Sequence, residues 1–160
     1  MRAPLSILPP RLIGLGKEVL RHLLKRPVVG VAVVGRDETG KLLLIRRGDT
    51  GTWALPGGTV EWGETLRSTM ARELAEEAGV DEVTFERVVG VFSRPDRDPR
   101  FHAITVVVAA RVGAIVRPPK NTLEIREARV FEASEVPTEL AMTMTDFLHA
   151  AEAADSVSFE

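Results

Sequence analysis

Hydrophobic positions follow two kinds of spacing along this chain. Residues 28–34, VVGVAVV, and 41–47, KLLLIRR, are apolar runs joined by GRDETG, whose aspartate and glycines signal a turn. Together they predict a β-hairpin. VTFERVVGVFS (83–93) and AITVVVAARV (103–112) form a second such pair around the turn-rich RPDRDPRFH, and ARVF (128–131) predicts one more short strand.

A helical period governs three other stretches. Over 11–26, RLIGLGKEVLRHLLKR, residues Leu12, Ile13, Val19, Leu20, Leu23 and Leu24 cover roughly 140° of a helical wheel, opposite Lys17, Arg21 and Lys25. Such a stripe more commonly packs on the domain or on a second subunit than on a membrane surface. Between 66 and 78, Thr65 is a suitable N-cap and Gly79 a suitable stop, with Met70, Ala71, Leu74 and Ala78 on one arc. The segment after ASEVP predicts a closing helix from about Pro137, with Leu140, Met144, Phe147 and Leu148 as its buried side.

Strands on either side of a central helix, with helices at both ends, predict an α/β fold: a mixed sheet covered on both faces. The 160 residues suit one domain, expected over 28–155 behind an N-terminal helical extension at 1–27.

Composition narrows the chemistry. The 21 basic and 23 acidic residues leave a net charge of −2, which makes no case for stable nucleic-acid binding. The absence of cysteine excludes thiolate metal sites and thiol nucleophiles and suits a cytoplasmic protein. No apolar run approaches the roughly 20 residues of a membrane span.

Charge is concentrated on the central helix, where Glu73, Glu76 and Glu77 fall at i, i+3 and i+4 and so on one α-helical face. Like charges at that spacing oppose helix formation by about 0.2–0.5 kcal/mol per pair. Arg72 offsets part of this, but carboxylate oxygens are the hard ligands that Mg²⁺ or Mn²⁺ prefers, and a divalent cation explains the cluster better than a solvated face. The preceding WALPGG (53–58) forces a tight turn that brings a main-chain carbonyl near the same carboxylates.

Residues 58–80 fill every specified position of a known signature: Gly58, five residues, Glu64, seven residues, then Arg72, Glu73, Leu74, one residue, Glu76, Glu77, one residue, Gly79 and Val80. In this the chain resembles the Nudix hydrolases. The resemblance implies an α/β/α sandwich whose loop-helix-loop binds Mg²⁺, with Mn²⁺ as the alternative, and cleaves a nucleoside diphosphate linked to another moiety. It implies Glu73, Glu76 and Glu77 as metal ligands, Gly57 as a further ligand through its carbonyl, Glu64 as an assisting group and Arg72 as the residue orienting the glutamates. The general base in such proteins often comes from a loop beyond the box. Glu124 is the favoured candidate, Glu127 the second, and a box glutamate remains an alternative.

The segment SRPDRDPRFH (93–102) is similar to one found in ADP-ribose pyrophosphatases of the family, with Pro95 past the box. Arg94, Arg97 and Arg100 offer forked donors for phosphate or ribose oxygens, and Arg46 and Arg47 end a strand where either can face a phosphate. Phe92 and Phe101 are the aromatic candidates for stacking on a base. The expected activity is Mg²⁺-dependent hydrolysis of ADP-ribose or a nucleotide sugar, by a chain that the resemblance allows to be a homodimer. A triphosphate pyrophosphatase acting on oxidised nucleotides is the second reading, and a non-catalytic nucleotide sensor the third.

Overall fold

The computed structural model describes residues 26–153 and 156–160. The amphipathic helix expected over 11–26 lies, except for Arg26, outside the described residues.

Six long or medium elements build the frame: β1 (Val28–Arg36), β2 (Leu42–Arg47), α1 (Leu66–Glu73), β5 (Val83–Phe92), β6 (Ala103–Val112) and β7 (Ile125–Phe131). Between β2 and α1 lie two short strands, β3 (Trp53–Ala54) and β4 (Gly57–Thr59), and the chain ends with α2 (Thr145–Glu152) and β8 (Ser158–Phe159). The strands form one mixed sheet in the order β3-β2-β1-β6-β5-β8, with β4 also pairing β1 and β7 pairing β2. Both expected hairpins form, while β1 and β6 run parallel, Val28 matched with Ala103 and Arg36 with Arg111.

Side-chain alternation divides the core between the two sheet faces. Val31, Val33, Leu43 and Ile45 join Met70 and Leu74 of the central helix on one face. Ala32, Val34, Leu42 and Leu44 join Phe147 and Leu148 of α2 on the other. Strands covered on both sides must be apolar at nearly every position, which is why β1 and β2 read as continuous runs.

Two boundaries differ from expectation. The closing helix starts at Thr145, because the backbone at Met142 and Thr143 is left-handed (φ 53° and 55°) and breaks any helix running from Pro137. Its buried side is Phe147 and Leu148, while Leu140 is buried and Met144 half-buried in the segment before it. The last strand is longer than ARVF, starting at Ile125. On α1, Met70 and Thr69 are buried, whereas Ala71 faces out.

Candidate active site

Thr65 caps α1: its hydroxyl accepts from the Ser68 N–H at 3.1 Å, and the Ser68 hydroxyl accepts from the Thr65 N–H at 2.9 Å. Two orphan donors are satisfied reciprocally, which fixes where the helix begins. At its other end, Glu73 is followed by one wider turn, Leu74–Ala78, closed by a bond from the Gly79 N–H to the Leu74 carbonyl. A turn of i→i+5 bonds rotates each residue by less than the roughly 100° of an α-helix, so Glu77 returns over Glu73 while Glu76 falls about a quarter-turn away.

The side chains follow that geometry. Glu73 and Glu77 line a cleft of about 280 Å³ that also takes in Gly57, Gly58, Arg47 and Glu124. Glu76 turns instead to Lys120, whose Nζ donates to its Oε1 at 2.6 Å and whose N–H donates to its main-chain carbonyl at 2.8 Å. Expected on one face, the three carboxylates thus place two in the cleft lining and one at its rim, where Glu76 Oε2 remains 3.7 Å from the Arg72 Nη1 that bonds Glu73. Among the described residues no three acidic or histidine side chains already converge on a single point.

Glu77 accepts from the Gly57 N–H at 2.9 Å. Burial, reinforced by the charges of Glu73 and Glu124, pushes its carboxyl up to about 8 despite that bond. Glu73, 12% exposed, accepts from Arg72 Nη1 at 2.9 Å, and burial raises it too. Gly58 makes room for Glu73, since a Cβ there would collide with the Glu73 carboxylate. Two half-buried carboxylates and a third charge from Glu124 form a set of hard oxygen donors that fits a divalent cation.

Arg72 ties this wall together. Its Nε and Nη2 donate to the two oxygens of Glu64 at 2.7 and 3.0 Å, and Nη2 also donates to the Thr59 carbonyl at 3.1 Å. Those bonds, the Thr69 hydroxyl and the Glu61 N–H hold the Glu64 carboxyl down at about 2. Glu64 therefore faces Arg72 and the cap of α1, and Arg72 links it to Glu73.

Glu124 reaches the cleft from the loop before β7, anchored where its carbonyl accepts from the Gly48 N–H at 2.6 Å. Glu127 lies opposite Arg46 in the β2–β7 register and pairs with it at 3.2 Å, outside the cleft lining. Arg46 also donates to the Gly51 carbonyl at 3.1 Å and lies over the Trp53 ring. Its neighbour Arg47 is the one that enters the cleft, held by Asp49 through bonds of 3.0 and 2.5 Å. The signal was in the parity of β2: Arg47 shares a face with Leu43 and Ile45, the face that α1 covers.

The arginines of the β5–β6 loop differ in role. Arg94 is half exposed, beside Asp96 and Glu160, and does not line the cleft. Arg97, 8% exposed, lies over both the Phe92 and Phe147 rings and donates to Glu160, Asp146 and Thr143. It is a structural hub at the end of the cleft. Arg100 also lines the cleft, gripped by the buried Asp98 at 2.9 and 2.7 Å. Phe92, expected to stack on substrate, belongs to the core, 4.5 Å from the Phe147 ring. Phe101 lines the cleft, as do Asp98 and Met142, and nothing in the sequence marked the last two.

The signature, the sandwich and the acidic cleft coincide with what comparison with known proteins finds. Residues 25–151 match the NUDIX domain, so the chain belongs to the NUDIX family, and it is a pyrophosphohydrolase of that family. An ADP-ribose pyrophosphatase of Methanocaldococcus jannaschii is 38% identical over 72% of this chain and 68% of that protein. A putative 8-oxo-dGTP diphosphatase of Bacillus subtilis is 36% identical over 41% of this chain and 44% of its own length. In fold, the chain is similar to the NUDIX domain of Shewanella oneidensis NrtR complexed with ADP ribose, with a TM-score of 0.72 at 22% identity over 88% of this chain and 98% of that one. Among the described residues no helix is long and apolar enough to cross a membrane.

Proposed function

We propose that the chain hydrolyses the diphosphate bond of ADP-ribose or a related nucleotide sugar, releasing a nucleoside monophosphate and a sugar phosphate, with Mg²⁺ as cofactor and Mn²⁺ as an alternative. The observation that carries this reading is the pairing, in one cleft, of the half-buried Glu73–Glu77 wall with Arg47 and Glu124. The Methanocaldococcus relative supports the substrate class.

Glu73 and Glu77 would hold the cation, with Glu124 and the Gly57 carbonyl beside them, and Glu76 would contribute through Oε2, the oxygen that Lys120 does not take. Bound there, a divalent ion supplies charge neutralisation on the diphosphate and activation of water near neutral pH. Arg47, lining the same cleft and oriented by Asp49 through Nε and Nη2, offers its remaining N–H donors to the diphosphate. Glu124 takes the proton of the attacking water, because it reaches the cleft from a different element and carries none of the Arg72 bonds that neutralise Glu64. Arg72 is a positioning residue that fixes Glu73. We further propose a cytoplasmic protein, in keeping with its lack of cysteine, that is able to form a homodimer, which gel filtration would detect.

The test is product analysis. Purified full-length protein with ADP-ribose and Mg²⁺ should give AMP and ribose 5-phosphate in equal amounts. The Bacillus relative motivates the second reading, for which an oxidised nucleoside triphosphate would be cleaved to monophosphate and pyrophosphate instead. Turnover of the triphosphate with none of ADP-ribose would replace the first reading by the second.

A further inference from the structure

The far end of the cleft is walled by a segment whose backbone is unusual. Met142 and Thr143 are consecutive non-glycine residues in the left-handed region, at φ 53° and 55°. A Cβ makes that conformation costly, and for a β-branched threonine it is a true outlier, so surrounding contacts must impose it. Those contacts are visible: Arg97 donates to the Thr143 hydroxyl at 2.8 Å while being clamped by Glu160 and Asp146 and held over two phenylalanine rings. The result is to swing Met142 into the cleft lining.

What Met142 meets there is informative. Arg100 Nη2 lies 3.4 Å from its Sδ, and the same guanidinium lies over the Phe101 ring, 5.1 Å from the centroid. Asp98 fixes that flat cation through both carboxylate oxygens. One wall is therefore the Arg100 guanidinium over the Phe101 ring, fixed by Asp98, and the other is a thioether with three rotatable bonds that rests against that guanidinium. Such a side chain can change rotamer and admit a flat ring without any movement of the main chain. A heteroaromatic ring finds a guanidinium and the Phe101 ring to stack on at one side and polarizable sulfur at the other.

We propose that Met142 is a specificity-determining residue, whose thioether swings off the Arg100 guanidinium and packs against the nucleobase of the substrate as the base enters beside Arg100 and Phe101. This rests on the reading of the cleft as a nucleoside diphosphate site. The imposed strain at residues 142 and 143 is the device that keeps the jaw in place.

Kinetics and product binding test it. Glycine adopts the left-handed conformation freely, so Met142→Gly should fold, and its KM for ADP-ribose should rise about tenfold, more than kcat falls. Calorimetric titration should show AMP, which carries the base, binding about tenfold more weakly, while ribose 5-phosphate, which lacks it, binds within about twofold of the parent value. Met142→Leu, which restores apolar bulk, should recover most of the AMP affinity. Unchanged AMP binding in Met142→Gly, or a loss confined to ribose 5-phosphate, would overturn the assignment. Parent protein that turns over neither ADP-ribose nor a nucleoside triphosphate would defeat the underlying reading instead.

Discussion

Arg72 grips both carboxylate oxygens of Glu64, at 2.7 and 3.0 Å, with one edge of its guanidinium while Nη1 reaches Glu73 at 2.9 Å. Only a planar fork spans both partners at once. Arg72→Lys keeps the charge and loses that geometry, leaving Glu73 free to rotate away from Glu77. We expect kcat to fall roughly 10²-fold, with KM changing far less, in steady-state assays with ADP-ribose.

Gly58→Ala probes the same wall from the other side. A Cβ at residue 58 would occupy the place of the Glu73 carboxylate, the far end of a flexible side chain, so the fold can yield and the site cannot. Thermal unfolding should shift little while kcat falls by roughly 10². A drop in stability with undiminished turnover would show that Glu73 is not held where catalysis needs it.

The two glutamates that flank β7's first residues are separable. Glu124→Gln should lower kcat by roughly 10²–10⁴, the span expected when a proton acceptor is removed. Glu127→Gln, whose side chain pairs with Arg46 away from the cleft, should remain within about twofold of the parent enzyme, the exposed pair contributing little. Equal losses in both would reject Glu124 as the acceptor.

Glu160 ties the last strand to the Arg97 hub, with bonds of 2.9 and 2.6 Å to the guanidinium. Arg97 first, and the N–H groups of Arg94 and Ser93 after it, hold its carboxyl at about 2, below the ordinary glutamate value of 4.5. A depressed folded-state value stabilises the protein above pH 4.5, and that contribution is lost as pH falls through about 2. Melting temperatures of the parent and of Glu160→Gln should therefore differ by a few degrees at pH 6 and converge as the pH approaches 2. A gap that stays constant over this range would mean that the ion pair contributes nothing.

How much of this could be read in advance depended on whether a feature was local. The β1–β2 hairpin, the Thr65 cap and the Gly79 stop follow from neighbours a few residues apart, and each is present. Burial of Leu140, Phe147 and Leu148 was legible from period, but the start of α2 was not, because left-handed backbone at Met142 and Thr143 is imposed by Arg97, 46 positions away from Thr143. The placing of Glu76 was hidden for a similar reason: its turn is widened, and its partner Lys120 arrives from a loop distant in sequence. Arg94, Arg97 and Arg100 read alike in RPDRDPR, yet the first is exposed while the other two line the cleft, Arg97 as a buried hub and Arg100 half exposed, according to which aromatic and acidic neighbours the fold delivers.

The parallel match of β1 with β6 has a kinetic corollary. Val28 and Thr105, both in the cleft floor, belong to strands that meet only after the whole intervening chain, signature box included, has been looped back. The binding surface is therefore absent from any collapsed species in which that long-range pairing has yet to form. On dilution from denaturant, recovery of AMP binding should track the slowest refolding phase and lag behind the return of helical signal.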